Sequence, residues 1–135
     1  MALVDHWPLF GLRLTTPRIE LRYPDDDLCL AVAELAARGV HDPGTMPFSI
    51  PWTEAPPDEL PRNSLQWYWR SRAELHADKW HMDLAVLLDG EVVGVQGVMS
   101  ERFTQRRGVE TGSWLGRAHQ GAGIGTEMRR AVLHL

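Results

Sequence analysis

Gly116-Arg117-Ala118-His119-Gln120-Gly121-Ala122-Gly123-Ile124-Gly125-Thr126 is the stretch on which the reading of this chain turns. Glycines stand at alternate positions 121, 123 and 125, between an apolar strand-like run ending Ser113-Trp114-Leu115 and a run with helical spacing. In that second run Ile124, Met128, Ala131, Val132 and Leu135 fall on one helical face. Glycine permits positive φ and lets a backbone approach a ligand with no Cβ between them. A strand, then glycines, then a helix start brings unpaired amide N–H groups and the positive end of a helix dipole to one point. That arrangement suits an anion, and phosphate first of all.

Two phosphate loops are excluded by their missing parts. A Walker loop requires Gly-Lys-Ser/Thr, and Lys79 is the only lysine in the chain. The dinucleotide fingerprint G-x-G-x-x-G requires a third glycine where Met128 stands. What remains is Gln120-x-x-Gly123-x-Gly125, which resembles the Q/R-x-x-G-x-G/A acyl-CoA loop of the GNAT superfamily of N-acetyltransferases. A second stretch, Leu14-Thr15-Thr16-Pro17-Arg18-Ile19-x-Leu21-Arg22, resembles the opening strand of the members related to the ribosomal-protein N-terminal acetyltransferases. The bland alternative is a glycine-rich turn that binds nothing.

Composition bounds the rest. A length of 135 residues fits one domain, with 44% hydrophobic and 24% charged residues as in ordinary globular proteins. One cysteine, Cys29, excludes an internal disulfide framework and suits a reducing, cytoplasmic setting. The N-terminus shows no basic leader before an apolar run, and no run is long enough to span a bilayer. Residues 101–135 hold six arginines against three acids, whereas residues 1–100 carry net negative charge. The basic segment is the one with the glycine loop, as a polyphosphate ligand favours. No basic patch with interleaved aromatics points to nucleic acid. The six histidines show neither i, i+4 pairing nor a cysteine partner, so no metal is expected. Ser113 lacks the G-x-S-x-G context of a hydrolase nucleophile.

Along the chain, Arg18, Glu20 and Arg22 alternate with Ile19, Leu21 and Tyr23 as in a half-buried strand. Asp25-Asp26-Asp27 supplies a helix start, Leu28, Ala31, Val32 and Leu35 its apolar stripe with Cys29 beside it, and Gly39 its stop. His41 to Pro61 contains six prolines interleaved with Met46, Phe48, Ile50 and Trp52, an ordered loop packed on the core. A second helix is expected over Arg62 to Ala77, with Leu65, Trp69, Arg72 and His76 on one face. Met82, Leu84, Val86 and Leu88 then alternate up to Asp89-Gly90, a hairpin signal, and Val92 to Met99 return. A polar loop with Arg102, Arg106 and Arg107 leads to the strand Val109 to Leu115.

The order strand, helix, helix, strand, strand, strand, glycine loop, helix is similar to the first two thirds of a GNAT domain, and the likeness covers essentially the whole chain. It implies an α/β fold with a mixed, mostly antiparallel central sheet flanked by helices. The family's domain continues with a further strand, helix and hairpin, so residues 1–135 are expected to be a single, C-terminally incomplete domain ending within its third helix. The exposed sheet edge and helix face that this leaves point to a homo-oligomer.

By the same resemblance the cosubstrate is acetyl-CoA, and the acceptor is a primary amine on a small molecule or peptide that attacks directly in a ternary complex. The pyrophosphate is expected on Gln120, Gly121, Ala122, Gly123, Ile124, Gly125 and Thr126, with Arg117 adding charge and Arg129 or Arg130 near. The pantetheine arm is expected along the strand ending at Trp114 and Leu115. The Pro-rich loop would wall the acceptor pocket with Phe48 and Trp52. Since amines arrive protonated, a base is needed, and Glu110 is the carboxylate on the strand beside the cofactor; a surface role for it is equally open. The family's usual general acid, a tyrosine on a later helix, has no counterpart, because Tyr23 and Tyr68 lie too early. A CoA-binding module without catalysis is the alternative.

Overall fold

A computed structural model describes all of residues 1–135. Five strands form one antiparallel sheet in the order β1 (Arg13–Thr15), β2 (Ile19–Arg22), β3 (Lys79–Leu88), β4 (Glu91–Glu101) and β5 (Glu110–Leu115). The opening segment, expected as one strand, is a tight hairpin. Pro17 breaks it, and Arg13 pairs with Arg22 across the turn. Asp89 (φ 51°) and Gly90 (φ 79°) take left-handed backbone between β3 and β4, as a two-residue hairpin turn needs. An extra residue of β4, Val93, bulges opposite Val86 and Leu87.

Helices cover both faces of this sheet, which is why β4 is buried continuously from Val92 to Val98 instead of alternating. A single helical turn, α1 (Leu3–His6), opens the chain. On one face α2 (Asp26–Ala37) and α3 (Leu60–Ala73) lie over Ala85, Leu87, Val92 and Val95. Asp25 caps α2 through Leu28 N–H, 2.9 Å away. The buried stripe of α2 is Cys29, Val32, Ala33, Leu35 and Ala36, so Cys29 belongs to the stripe and does not sit beside it. The second helix starts earlier and stops earlier than its pattern suggested. Pro61 is tolerated in the first turn, where an N–H has no partner to lose. Beyond Ala73 the backbone leaves the helical region at Glu74, and His76 and Lys79 close a turn into β3. His76 is therefore outside the helix, and Trp69, 46% exposed, donates its indole N–H to Asp26 instead of entering the core.

A one-turn α4 (Phe103–Arg106) occupies the arginine loop. On the opposite face, α5 (Ile124–Val132) packs Ile124, Met128, Ala131 and Val132 against Leu21, Leu84, Val86 and Val98. Trp7, Leu9 and Phe10 of the N-terminal segment fill the rest. Leu135, expected on this face, lies past the helix end and is exposed. No helix is long and apolar enough to cross a membrane.

Candidate active site

The site grows from the place where β5 ends and α5 begins. After Leu115 the chain makes a 3-10 turn at Arg117–His119, then swings through Gly121 and Gly123, both at φ 82°. Gly123 is the N-cap of α5 and offers no side chain to satisfy the helix's first amides. The N–H groups of Gly121, Ala122, Gly123, Ile124, Gly125 and Thr126 donate to nothing in the chain. Gly121, Ala122 and Gly123 are exposed, so these donors, with the helix dipole behind them, open outward. Such unpaired donors suit an anion, and they lie where the glycine pattern of the sequence predicts.

Arg18 reaches this loop from β2's edge. Its Nη1 donates to Ala122 O at 3.0 Å and its Nε to Glu127 Oε2 at 3.2 Å. The pair neutralises the one acid in the first turn of α5, where a carboxylate would repel a phosphate. Sequence reasoning missed this contact because it spans more than a hundred residues. A Cβ on Gly125 would stand 3.3 Å from Arg129 Nη1, so Arg129 curls back to the loop. Arg117 faces Asp42 at 3.8 Å on the surface, a pairing worth little in water. Gln120 plays a bracing part: its amide donates to Leu115 O at 3.0 Å and to Val40 O, tying the end of β5 to the segment that leaves α2.

A cavity of about 970 Å³ runs from Gln120 and Leu115 along one face of the sheet. Gly112, Trp114, Val95 and Gly97 line it from β5 and β4, and Tyr68 and Trp67 from α3. The Pro-rich loop supplies its remaining wall. Phe48 packs against Trp52 (5.1 Å between centroids, rings tilted by 46°), and Trp52 against Trp114 (5.7 Å, 47°). Phe48 and Trp52 of one loop and the distant Trp114 are thus one aromatic cluster. Beside β5 there is no further strand, so its outer backbone edge is free.

Glu110 is exposed at the start of β5, and its side chain makes no hydrogen bond or ion pair. It borders a second cavity, of about 770 Å³, that shares Trp67, His81 and Met99 with the first. At that junction sits a pair the sequence reading did not single out. His81 Nε2 and Asp83 Oδ1 are 3.0 Å apart, and Trp67 Nε1–H donates to Asp83 Oδ2 at 2.9 Å. The His-x-Asp spacing was the available signal, since residues two apart on a strand share a face. Burial disfavours the charged imidazole, yet the hydrogen bond and charge of Asp83 outweigh it and hold the His81 pKa above its ordinary value. Cys29 is buried in α2, and that burial pushes its thiol up to about 11. No three His, Cys, Asp or Glu side chains gather as a metal site.

Known structures share this architecture. RimL, a ribosomal-protein α-N-acetyltransferase solved with coenzyme A, matches with a TM-score of 0.67 at 15% identity, over 91% of this chain and 66% of its own. An acetyltransferase from Salmonella typhimurium that modifies the N-terminal serine of a 50S ribosomal subunit protein matches at 0.63 and 16% identity, over 90% and 65%. A microcin self-immunity acetyltransferase, solved with acetyl-CoA and AMP, matches at 0.61 and 17%, over 88% and 62%. The chain thus spans slightly less than two thirds of the length of these structures. Such identities speak for the fold alone. The sequence itself matches the acetyltransferase (GNAT) domain family over residues 18–135, and the chain belongs to that family.

Proposed function

We propose that this chain transfers an acetyl group from acetyl-CoA to a primary amine by direct attack within a ternary complex. The observation that carries the reading is the run of unsatisfied N–H groups from Gly121 to Thr126, opening beside a cavity that begins at Gln120. A pyrophosphate fits such a run, because each charge-assisted N–H bond there has no internal competitor. Arg18 and Arg129 add positive charge at the loop, and Arg117 stands at its entrance. The free edge of β5 up to Trp114 and Leu115 offers main-chain groups to the pantetheine arm, as to an added strand. Phe48 and Trp52 wall the acceptor's end of the cavity. Solved relatives named as acetylating a ribosomal protein's N-terminus support a peptide α-amine as acceptor.

In the reaction the amine nitrogen bonds to the acetyl carbon, the C–S bond breaks, and CoA leaves as a thiolate that takes up a proton. The amine must shed its own proton, and Glu110 on β5 is the carboxylate through which that proton leaves the site. A covalent acetyl-cysteine route is disfavoured, since Cys29 is buried and its thiol holds its proton at neutral pH. Thiol release from acetyl-CoA should therefore depend on added amine. It should fall as pH drops through the amine's own pKa, about 7.7–8.0 for an α-amine. A thiol-reactive dye, with CoA affinity measured separately by calorimetry, makes the test. Binding without release, for peptide and lysine amines alike, would leave a CoA-binding module in its place.

The same reading includes self-association. β5 is paired on one side only, and Leu133 (78% exposed) and Leu135 (49%) lie at the end of α5. Sedimentation at micromolar concentration should find a species larger than 15.3 kDa. A stable monomer at every concentration would remove this part alone.

A further inference from the structure

The two cavities meet at His81, and the chemistry of that junction is fixed by its neighbours. Both oxygens of Asp83 are engaged, one by His81 Nε2 and one by the Trp67 indole N–H. The Asp83 side chain is only 11% exposed, so it is an oriented carboxylate rather than a solvated one. The Trp67 ring meets the imidazole edge-on, 5.1 Å between centroids at 89°. With Nε2–H pointed at Asp83, the other nitrogen, Nδ1, has no partner in the chain. A histidine whose one nitrogen is held by a carboxylate keeps the other free to take a proton.

The sheet leaves room for this. Asp83 lies opposite Gly97 on β4, and Gly97 opposite Gly112 on β5. A Cβ at Gly97 would stand 2.8 Å from Asp83 Oδ1 and 3.7 Å from His81 Nε2. The two glycines form a lane without side chains from the His81–Asp83 pair to the strand along which pantetheine is placed. One row over, His81, Met99 and Glu110 face each other across the same three strands. His81 borders both cavities, and Glu110 only the outer one.

We propose that His81, oriented by Asp83 and Trp67, is the group that takes the proton from the acceptor amine and hands it outward to Glu110. This rests on the acetyl-transfer reading above. As the N–C bond forms and the C–S bond breaks, the amine's proton moves to His81 Nδ1. Asp83 stabilises the imidazolium, and the proton leaves through the Glu110 carboxylate to water, restoring neutral His81. The charged groups across the outer cavity are Arg70 of α3, Glu74 just past its end, Arg106 of α4 and Glu101 and Glu110 of β4 and β5. Lys79 is paired with Glu101 at 3.4 Å. His41 and Asp42 border the inner cavity. Arg72 lies below, with Tyr68 and Cys29, whose burial keeps both protonated at neutral pH. Both signs are represented at a distance, so Asp83, in direct contact, sets the sign of the shift.

The test measures kcat/KM for CoA release against pH with two acceptors, a short peptide bearing a free α-amine and a lysine side chain. Their own pKa values differ by more than two, near ~7.7–8.0 and ~10.4, so each moves its own limb. The wild type should show, in addition, one acid limb common to both acceptors, because only neutral His81 accepts a proton. Asp83→Asn should move that limb to lower pH. His81→Gln should remove it and lower kcat/KM on the order of a hundredfold, with CoA affinity by calorimetry unchanged. Glu110→Gln should lower the rate several-fold and keep the limb. Nitrogen-15 spectra of His81 in the free protein should place the neutral-form proton on Nε2. A common limb that survives in His81→Gln, a limb unmoved by Asp83→Asn, or a proton found on Nδ1 would each overturn this role while leaving acetyl transfer standing. A wild type that binds CoA yet releases none with either amine overturns acetyl transfer itself, and this role with it.

Discussion

Replacing Gly123 with valine should weaken CoA binding on the order of a hundredfold or more. Gly123 sits at φ 82°, in the left-handed region, where a β-branched residue is a steric outlier. A Cβ there would also press within 3.3 Å of the Arg18 guanidinium that braces the loop. The loop must therefore change its path to admit the side chain, and the amides from Gly121 to Thr126 no longer converge. Charge-assisted hydrogen bonds contribute about 1.5–3 kcal/mol each. Losing two of them lowers affinity by about 3 kcal/mol or more, on the order of a hundredfold in Kd. Calorimetry with CoA checks this directly. An affinity within about threefold of wild type would mean that the cradle is not where the phosphates sit. Most of the core of α5 lies on its other face and starts at Ile124, so the fold itself should survive, and far-UV circular dichroism should show it.

Gly94→Ala should produce the largest loss of stability among single-methyl additions, for a different reason. Gly94 has ordinary strand geometry and lies opposite Leu115 where β4 grips β5. A Cβ there would stand 2.3 Å from Trp114 O and 3.0 Å from Leu115 Cα, both backbone atoms that cannot swing aside. β5 must part from β4. Overpacking of this kind costs about 1–3 kcal/mol, and it displaces Leu115, whose own carbonyl accepts from Gln120 at the start of the glycine loop. The denaturation midpoint should fall and CoA affinity fall with it. Gly112→Ala, also on β5, is the contrast: no atom lies within 4 Å of its Cβ position. It should leave stability within about 0.5 kcal/mol of wild type while filling the cavity floor. Equal midpoints for Gly94→Ala and wild type would show that the β4–β5 contact yields more easily than its geometry implies.

Much of the molecule was legible because its signals are local. The glycine spacing, Asp25 as a cap, the Asp89-Gly90 turn and the alternation of β3 each depend on a few neighbouring residues, and each element formed where expected. The resemblance carried by Gln120-x-x-Gly123-x-Gly125 led to the family that the whole-chain match then gave. Errors gathered where local preference competes with distant packing. The helix after the Pro-rich loop read as running to Ala77 because Leu65, Trp69, Arg72 and His76 share a helical period. The turn into β3 ends it at Ala73, since β3 must begin at Lys79 to pair with β4.

The sequence by itself determined the order of the main elements, the place of the unpaired loop amides and, Leu135 apart, the face that α5 buries. These follow from backbone stereochemistry and hydrophobic period, which act over one or two turns. Only the tertiary structure decided which distant side chains meet. It laid Arg18 against Glu127, brought Trp114 against Trp52, and set Trp67 of α3 beside the His81–Asp83 pair of β3. Such contacts depend on strand register and helix placement, and a slip of one residue would turn His81 and Asp83 to the opposite face of the sheet. The run of unpaired loop amides is written in consecutive residues. The His81–Asp83 pair beside Trp67 exists only once β3, β4 and α3 are packed together.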